Sequence, residues 1–326
     1  MSVLAVLEQQ GGVWHRQAWE TLAAAQHLAR EWGVPAAAAV LGRGVSALAS
    51  EAATRQAETI WQVDHALLAD YTPDAFAAAL RQLLKRVQPR LVLFPHTYQV
   101  RDFAPKLAAA CGRALVSDVV ALRADANGLV AVRQLFQGKL YADVRFTAPP
   151  PAFVSLQAGA YRADAVASGA AAVEVFTPEL DPAAVRTRPE PRFREAARAV
   201  DLSTAEMIVS VGRGIKEAGN LPVVEDLAKA LGAELAASRP ICDSGWLPME
   251  RQVGSSGQTV APKLYVAVGI SGAIQHLVGM KGSKCILAIN KDPDAPIFEA
   301  AHYGIEGDLF QVVPALAAEI RKLKGA

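Results

Sequence analysis

Small, hydroxyl, amide and imidazole groups occur together where two predicted strands end in the C-terminal part of the chain. The segment LYVAVGISGAIQHLVGMKGSKCILAINKD has the pattern of a buried strand, a tight turn, a helix and a second strand. The residues of interest in it are Ser271, Gly272, Gln275, His276 and Asn290. Because ligands of open parallel sheets bind at the carboxyl ends of the strands, we expect these residues to line one site.

Residues of the same kinds accompany the other strands predicted in this half. The strands are expected at Met207–Gly212, Ala233–Arg239, Leu264–Ile270, Cys285–Asn290 and near Leu309–Val313. The residues at their ends, or in the loop before the third, are Gly212, Arg213, Gly214, Ser238, Arg239, Val253, Gly254, Ser255, Ser256, Gly257 and Asp308. This set predicts a dinucleotide ligand. Glycines let backbone N–H groups approach a pyrophosphate, and the N-terminus of a helix attracts its negative charge. A carboxylate can accept hydrogen bonds from ribose hydroxyls. The spacing is not GxGxxG, so the ordinary NAD fingerprint is absent.

Each of these residues also has a structural interpretation. Glycines between strands and helices are ordinary turn residues, and His276 could be a packed or a surface histidine. Arg213 and Arg239 could form ion pairs, and Ser255-Ser256 could be plain loop. The shared edge of the sheet is what favours a binding site, and it does not name the ligand.

Composition narrows the class of protein. The chain has 326 residues, 52% of them hydrophobic, with a formal net charge of +1, so two domains are expected and nothing indicates a nucleic-acid partner. Its three cysteines form no CxxC pair, and we expect no metal site or iron–sulfur cluster. MSVLAVLEQQGG reads as a first strand rather than a signal peptide, and no long uncharged apolar stretch indicates membrane insertion. No nucleophile or acid–base constellation indicates catalytic residues.

Strands and helices alternate in the first half, which predicts a parallel sheet. Expected strands are Val3–Glu8, Ala36–Gly42 and Arg90–Pro95, and expected helices are Arg16–Gly33 and one starting at Pro73 after a Thr72 N-cap. Alternating runs around Asn127-Gly128 indicate a hairpin, and YADVRFT and AFVSLQ continue as strands. These late strands are expected to add an antiparallel part to the sheet.

The proline-rich and charged stretch 176–202 reads as a connection, after which the alternation of strands and helices resumes. We therefore predict an α/β protein of two domains, residues 1–195 and 196–326. Each is expected to be a mainly parallel sheet flanked by helices, the first with added antiparallel strands and the second Rossmann-like.

The same motifs resemble the alpha subunit of electron-transfer flavoprotein. The resemblance is carried by IVSVGRGI, AASRPICDSGWLP, RQVGSSGQTVAPKLY and the block from APKLYVAVGISGAIQH to GDLFQVVPAL, and less specifically by VLAVLE, RDFAPKLAAACGRALVSDVVAL and GKLYADVR. It implies a heterodimer with a beta subunit, packed on the first domain, and FAD held in the second. It also implies an electron carrier between dehydrogenases, such as those of acyl-CoA, and a membrane quinone reductase.

The resemblance assigns residues to the cofactor. It implies that Arg213 lies near the phosphates and flavin, that Ser238 and Arg239 contact the isoalloxazine, and that Asn290, Asp308 and Leu309 hold the cofactor from the last strands. The remaining implied contacts are Val253, Gly254, Ser255, Ser256, Ser271, Gly272, Ala273, Ile274, Gln275 and His276. Many members read QVGQTG where this chain has QVGSSG, so Ser255 loses the reach of a glutamine while Ser256 keeps a hydroxyl.

Two other functions stay open at this stage. One is the FAD-carrying subunit of an electron-bifurcating complex from NADH to ferredoxin, and the other is a non-redox adenine-nucleotide-binding module. The expected location is the cytoplasm of a bacterium, or the mitochondrial matrix of a eukaryote.

Overall fold

A computed structural model gives the fold. The residues it describes are 1–125, 128–136, 138–190 and 201–325. The chain divides into two compact units, Met1–Arg192 and Phe193–Ala326. The boundary expected after residue 195, and Asn127 of the expected hairpin turn, lie outside the described residues.

The first unit alternates strands and helices and then adds a meander. Its strands are β1 (Val3–Leu7), β2 (Gln9–Gln10), β3 (Val13–Trp14), β4 (Ala36–Gly42), β5 (Thr59–Asp64), β6 (Leu91–Pro95), β7 (Leu115–Asp125), β8 (Gly128–Leu135), β9 (Leu140–Arg145), β10 (Ala152–Leu156) and β11 (Ala172–Phe176). Its helices are α1 (Arg16–Trp32), α2 (Ser46–Ala52), α3 (Pro73–Val87) and α4 (Tyr98–Ala110).

The main sheet of this unit has nine strands in the order β11-β5-β4-β1-β6-β10-β7-β8-β9. Seven of them run parallel, and β8 and β9 are antiparallel additions at one edge. The predicted fold class is therefore confirmed. The segment AFVSLQ, expected to continue the late strands, instead forms β10, which lies between β6 and β7 and is parallel to both.

Local signals explain where the helices begin and end. The Thr72 side chain accepts a hydrogen bond from the Ala75 N–H at the start of α3, with Pro73 in the first turn. Helix α1 ends at Gly33, which has φ of 63° and suits a residue without a Cβ. The alanine-rich face of α1 is buried against the sheet.

The second unit is a five-stranded sheet with helices. Its strands are β12 (Met207–Val211), β13 (Glu234–Ala237), β14 (Leu264–Val268), β15 (Ile286–Asn290) and β16 (Tyr303–Glu306). Its helices are α5 (Leu221–Leu231), α6 (Arg239–Asp243), α7 (Ile274–Met280), α8 (Ile297–Ala300) and α9 (Leu309–Lys324). All strands are parallel, in the order β13-β12-β14-β15-β16.

The short strand expected near Leu309–Val313 is wrong. The fifth strand is β16, and Leu309 begins helix α9, which continues through Pro314. The Asp308 side chain accepts from the Phe310 N–H at 2.9 Å and so caps this helix. Leu309 and Val313, four residues apart, are both buried, which is the spacing of one helix face.

Among the described residues, no helix is both long enough and apolar enough to span a bilayer.

Candidate functional site

The carboxyl ends of all five strands of the second unit lie along one edge of its sheet. Val211, the last residue of β12, is in register with Ala237 of β13 and Val268 of β14. Val268 is in turn in register with Ile289, next to the end of β15. The turns that follow these strands therefore share this edge, which we call the carboxyl rim.

Glycines of GRG let two of these turns touch. The Gly214 N–H donates to the Gly269 carbonyl at 3.0 Å. A Cβ placed on Gly212 would lie 2.4 Å from that oxygen, and one on Gly214 would lie 2.7 Å from the Gly269 Cα. These glycines are thus required by the contact between the turns after β12 and β14. Arg213, between them, is exposed on the rim.

Gly272 is also required by packing within the chain. Its φ is 89°, and a Cβ there would lie 2.1 Å from the Ile297 nitrogen. The Ile297 N–H donates to the carbonyl of Ser271 at 3.1 Å, which holds the turn against α8. Packing therefore explains a glycine at 272 without a ligand. The seven-residue α7 that follows is too short to add much helix dipole to the site.

The loop 252–257 is fixed between β13 and α7. The Val253 N–H donates to the Ala237 carbonyl at 2.9 Å, and the Ser255 N–H donates to the Gln275 carbonyl at 2.8 Å. A Cβ on Gly254 would lie 2.9 Å from the same Gln275 oxygen. The structure thus brings together the two predicted segments VGSS and SGAIQH. Because Ser255 uses its backbone, this contact does not depend on the side chain that differs from the family pattern.

A buried glutamine supports the exposed hydroxyl of this loop. The Gln252 Nε2 donates to the Ser256 Oγ at 2.9 Å, and Gln252 is only 1% exposed. This bond occupies a lone pair of the hydroxyl and leaves its proton for an acceptor on the rim. Gln252 was not among the residues predicted from the sequence, although it lies directly before Val253. A long side-chain amide next to a glycine-rich turn is the sequence feature that could have indicated its role.

His276 is a buried, neutral imidazole rather than a cation. It is 5% exposed, and its Nε2 lies 2.9 Å from the Tyr265 hydroxyl. Burial lowers the pKa of His276 to about 4, and the nearby Val253 backbone opposes the shift only in part. Burial raises the pKa of Tyr265, so its phenol keeps the proton.

The second nitrogen of this ring lies near the Val253 backbone. Nδ1 of His276 is buried and has no partner of good hydrogen-bond geometry among the described residues. A neutral ring that accepts the Tyr265 proton at Nε2 carries its own proton at Nδ1. An unsatisfied buried donor is costly, and an acceptor supplied by a ligand would relieve that cost.

Ser238 and Arg239 differ in how firmly they are held. Ser238 is 8% exposed, and its N–H donates to the Val211 carbonyl at 3.0 Å, which places it on the rim. The Arg239 side chain is 66% exposed, and its Nε lies 3.2 Å from the Asp243 carboxylate. The guanidinium therefore reaches solvent at the edge of the rim and has an acidic neighbour.

The last predicted positions are largely committed to the fold. The Asn290 amide donates to the Ile270 carbonyl at 2.9 Å and accepts from the Asp292 N–H at 3.1 Å, so it ties β14 to β15. Asp308 caps α9 but stays exposed on the rim. The Leu309 side chain is buried in the core rather than facing the rim.

The remaining predicted residues form an exposed stretch at the start of α7. Ser271, Ala273, Ile274 and Gln275 are all exposed. Together with Arg213, Arg239, Ser256 and Asp308 they give the rim cationic, hydroxyl, amide and carboxylate groups. This donor set, and the unsatisfied Nδ1 of His276, fit a long polar ligand such as FAD, which carries phosphates, ribose and ribityl hydroxyls and ring carbonyls.

Comparison with known families covers both units. Residues 3–181 match the electron transfer flavoprotein domain. Residues 201–281 match the electron transfer flavoprotein FAD-binding domain. The second match takes in the rim from Arg213 to His276.

Individual relatives match over nearly their whole length. The chain is 40% identical to the electron transfer flavoprotein subunit alpha of Thermoanaerobacterium thermosaccharolyticum, covering 97% of both chains. It is 35% identical to Protein FixB of Azotobacter vinelandii, covering 99% of this chain and 92% of that one. It is also 35% identical to the acryloyl-CoA reductase electron transfer subunit beta of Anaerotignum propionicum, covering 98% and 95%. With these matches, and with a rim whose groups suit the cofactor, the chain belongs to the electron transfer flavoprotein alpha-subunit family, whose second domain binds FAD.

Proposed function

We propose that this chain is the FAD-carrying subunit of a heterodimeric electron carrier. It would accept electrons from dehydrogenases, such as acyl-CoA dehydrogenases, and pass them to a membrane quinone reductase from the cytoplasm. Family membership supports the carrier class, and the unsatisfied buried Nδ1 of His276 is the observation that points to the cofactor site. No residue is required as a nucleophile or acid–base catalyst, because FAD supplies the redox chemistry when bound.

The rim suggests what the chain's own groups do. His276 would donate from Nδ1 to a carbonyl of the flavin, with Tyr265 fixing the ring through Nε2. Ser256 would donate its hydroxyl proton, with Gln252 holding the oxygen. Arg213 would pair with the phosphates, and Arg239 would place a positive charge at the edge of the flavin. Packing of these turns on one another would keep the donors in place.

The first unit is proposed to pack on the beta subunit. The adjoining ends of β8 and β9 expose four large side chains, which is more than a monomer's surface usually presents together. They are Leu135, Phe136, Leu140 and Tyr141, at 36%, 72%, 56% and 58% exposed. Such an apolar end of a hairpin supports a protein contact at this edge of the sheet.

Co-expression with the beta subunit tests the proposal. The heterodimer should be yellow and should contain about one FAD, whereas the chain alone should be flavin-poor because partner and cofactor stabilise by mass action. His276→Ala should weaken FAD binding by roughly tenfold or more, the effect of losing a buried hydrogen bond. His27→Ala, which removes a half-exposed imidazole in the first unit, is the matched control. A colourless heterodimer, or equal affinities in both variants, would contradict the assignment.

A second candidate function has one specific observation behind it. One relative is named as an electron transfer subunit of an acryloyl-CoA reductase, so that member of the family serves a reductase according to its name. If this chain serves such a complex, or an electron-bifurcating one, NADH should reduce the flavin of the complete assembly. Reduction by an acyl-CoA dehydrogenase and its substrate, with no reaction towards NADH, would favour the first proposal. The FAD-binding family match argues against a non-redox nucleotide module.

A further inference from the structure

The first unit contains a cavity of about 400 Å³ between α4 and the strands β7 and β10. Its polar lining residues are His96, Arg101, Arg113, Ser117 and Ser155. Its apolar lining residues are Val100, Pro105, Ala108, Ala109 and Leu115. Within the described part of the chain, no acidic residue is among those that line it.

A serine hydroxyl contacts His96 beside the cavity. The Ser155 Oγ accepts from the Asp118 N–H at 3.3 Å and lies 2.9 Å from the His96 Nδ1. When Ser155 donates its hydroxyl proton to Nδ1, the neutral ring carries its own proton at Nε2. Burial is the main cause that lowers the pKa of His96, opposed by Asp118 and aided by Arg101 and Arg133, which favours this neutral form.

Asp118 is held in a conformation that shapes this wall. Its φ is 58°, in the left-handed region that few residues other than glycine adopt. It lies where the register between β7 and β10 shifts, so that Val116 pairs with Val154 but Val119 pairs with Leu156. Such outliers persist where the surroundings enforce them and are often found at functional sites.

The arginines around the cavity have little acidic compensation. The side chain of Arg101 stacks on Tyr98, with its guanidinium carbon 5.5 Å from the ring centre. Arg113 uses its terminal nitrogens on the Gly112 and Pro150 carbonyls, while its Nε is buried without a partner among the described residues. The nearby acid, Asp118, accepts from the Gln157 amide at 3.1 Å and lies 4.0 Å from His96. The net charge beside the cavity is therefore positive.

From this geometry we propose that the cavity binds a phosphate monoester. The donors come from the end of β6, from α4 and from the start of β7, so they converge from different directions. A tetrahedral phosphate has three terminal oxygens to receive them, whereas a carboxylate has two in one plane. The apolar wall and a volume larger than inorganic phosphate suit the small organic group that carries the phosphate.

Calorimetric titration of the FAD-loaded heterodimer in phosphate-free buffer tests this. The probes are inorganic phosphate, glycerol 3-phosphate and glycerol. We expect glycerol 3-phosphate to bind more tightly than inorganic phosphate, and glycerol not to bind. Arg101→Gln should raise the dissociation constant by roughly tenfold or more, the cost of losing a charge-assisted hydrogen bond. Ser117→Ala should raise it less.

Arg43→Gln is the matched control, since Arg43 is exposed in the same unit and does not line the cavity. Glycerol 3-phosphate should also slow the modification of Arg101 by phenylglyoxal and leave that of Arg43 unchanged. Binding that survives Arg101→Gln, or no binding at all, would overturn the proposal. So would loss of the heterodimer in Arg101→Gln by sedimentation, because the cavity would then be a contact for the partner subunit. Equal affinities for the two phosphates would overturn the assignment of the apolar wall to an organic group.

Discussion

The buried imidazole of His276 should make the second unit sensitive to acid. Its folded pKa of about 4 lies below the usual value of 6.5, so the native state binds fewer protons than the unfolded chain. Stability from this group is therefore fully present above about pH 6.5 and is lost as the pH falls towards 4. The difference in pKa corresponds to about 3 kcal/mol in total, most of which should be lost by pH 4.5.

Urea unfolding of the FAD-loaded protein at several pH values measures this, with the fluorescence of Trp246 reporting on the second unit. His276→Gln removes the titration and keeps an amide that can accept from Tyr265. The free energy of unfolding of the parent minus that of the variant should fall by about 2 kcal/mol between pH 7 and pH 4.5. A difference that stays constant over this range would show that the ring is not buried in its neutral form.

The same neutral state changes what is expected of the redox potential. A histidine that titrated near pH 6.5 would give the flavin potential a pH dependence around neutrality. With a pKa of about 4, His276 is neutral from pH 6 to pH 8. His276→Gln should therefore shift the flavin potential by a constant amount over this range. A change of slope with pH near 6.5 would contradict the burial argument.

Three further variants test the rim. In urea unfolding, Gly272→Ala should lower the stability of the protein by about 2 kcal/mol or more, because of the positive φ and the clash with the Ile297 backbone. The control Gly219→Ala adds a Cβ that meets no atom within 4 Å, so it should change the stability very little. Arg239→Gln should lower the flavin midpoint potential in spectroelectrochemical titration by about 60 mV, the low end for a charge-assisted bond because the side chain is exposed; an unchanged potential would place Arg239 away from the flavin. Gln252→Ala should weaken FAD binding by roughly tenfold, and adding Ser256→Ala should cost little more, since the two act through one hydrogen bond. Additive losses would refute that coupling.

The choice of control shows where sequence reasoning falls short. From the sequence, Gly279 near the end of α7 is a natural comparison for Gly272, because nothing local requires a glycine there. In the structure a Cβ on Gly279 would lie 2.4 Å from the Gly254 nitrogen. The contact joins two segments 25 residues apart, and no pattern within either segment indicates it. Gly219, which has open space around it, is therefore the better control for Gly272.

Patterns with a local physical cause were predicted well. The alternation of strands and helices correctly predicted the parallel sheets, and Thr72 before Pro73 correctly predicted the start of α3. Both signals act within a few residues of the chain. The strand expected at Leu309–Val313 was wrong because a five-residue stretch with four apolar residues suits a strand or a buried helix face equally, and the Asp308 cap decides for the helix. The position of β10 failed because the place of a strand within a sheet depends on long-range pairing.

The candidate site divides in the same way. Strand direction alone predicts that the turns after the first four strands meet on the carboxyl rim, so Arg213, Ser238, Ser271 and Asn290 could be grouped from the sequence. Asp308 was expected before a strand, and it lies on the rim because it follows β16. What each residue can do there depends on burial and on its partners across the fold. Tyr265 and His276 lie on different elements, and the burial of the ring beside this tyrosine keeps His276 neutral. Asn290 and Leu309, by contrast, are used by the fold itself. Because Asn290 already donates one amide proton to the Ile270 carbonyl, Asn290→Ala should lower the stability of the protein even without FAD, and a variant that lost only FAD affinity would show that the amide serves the cofactor instead.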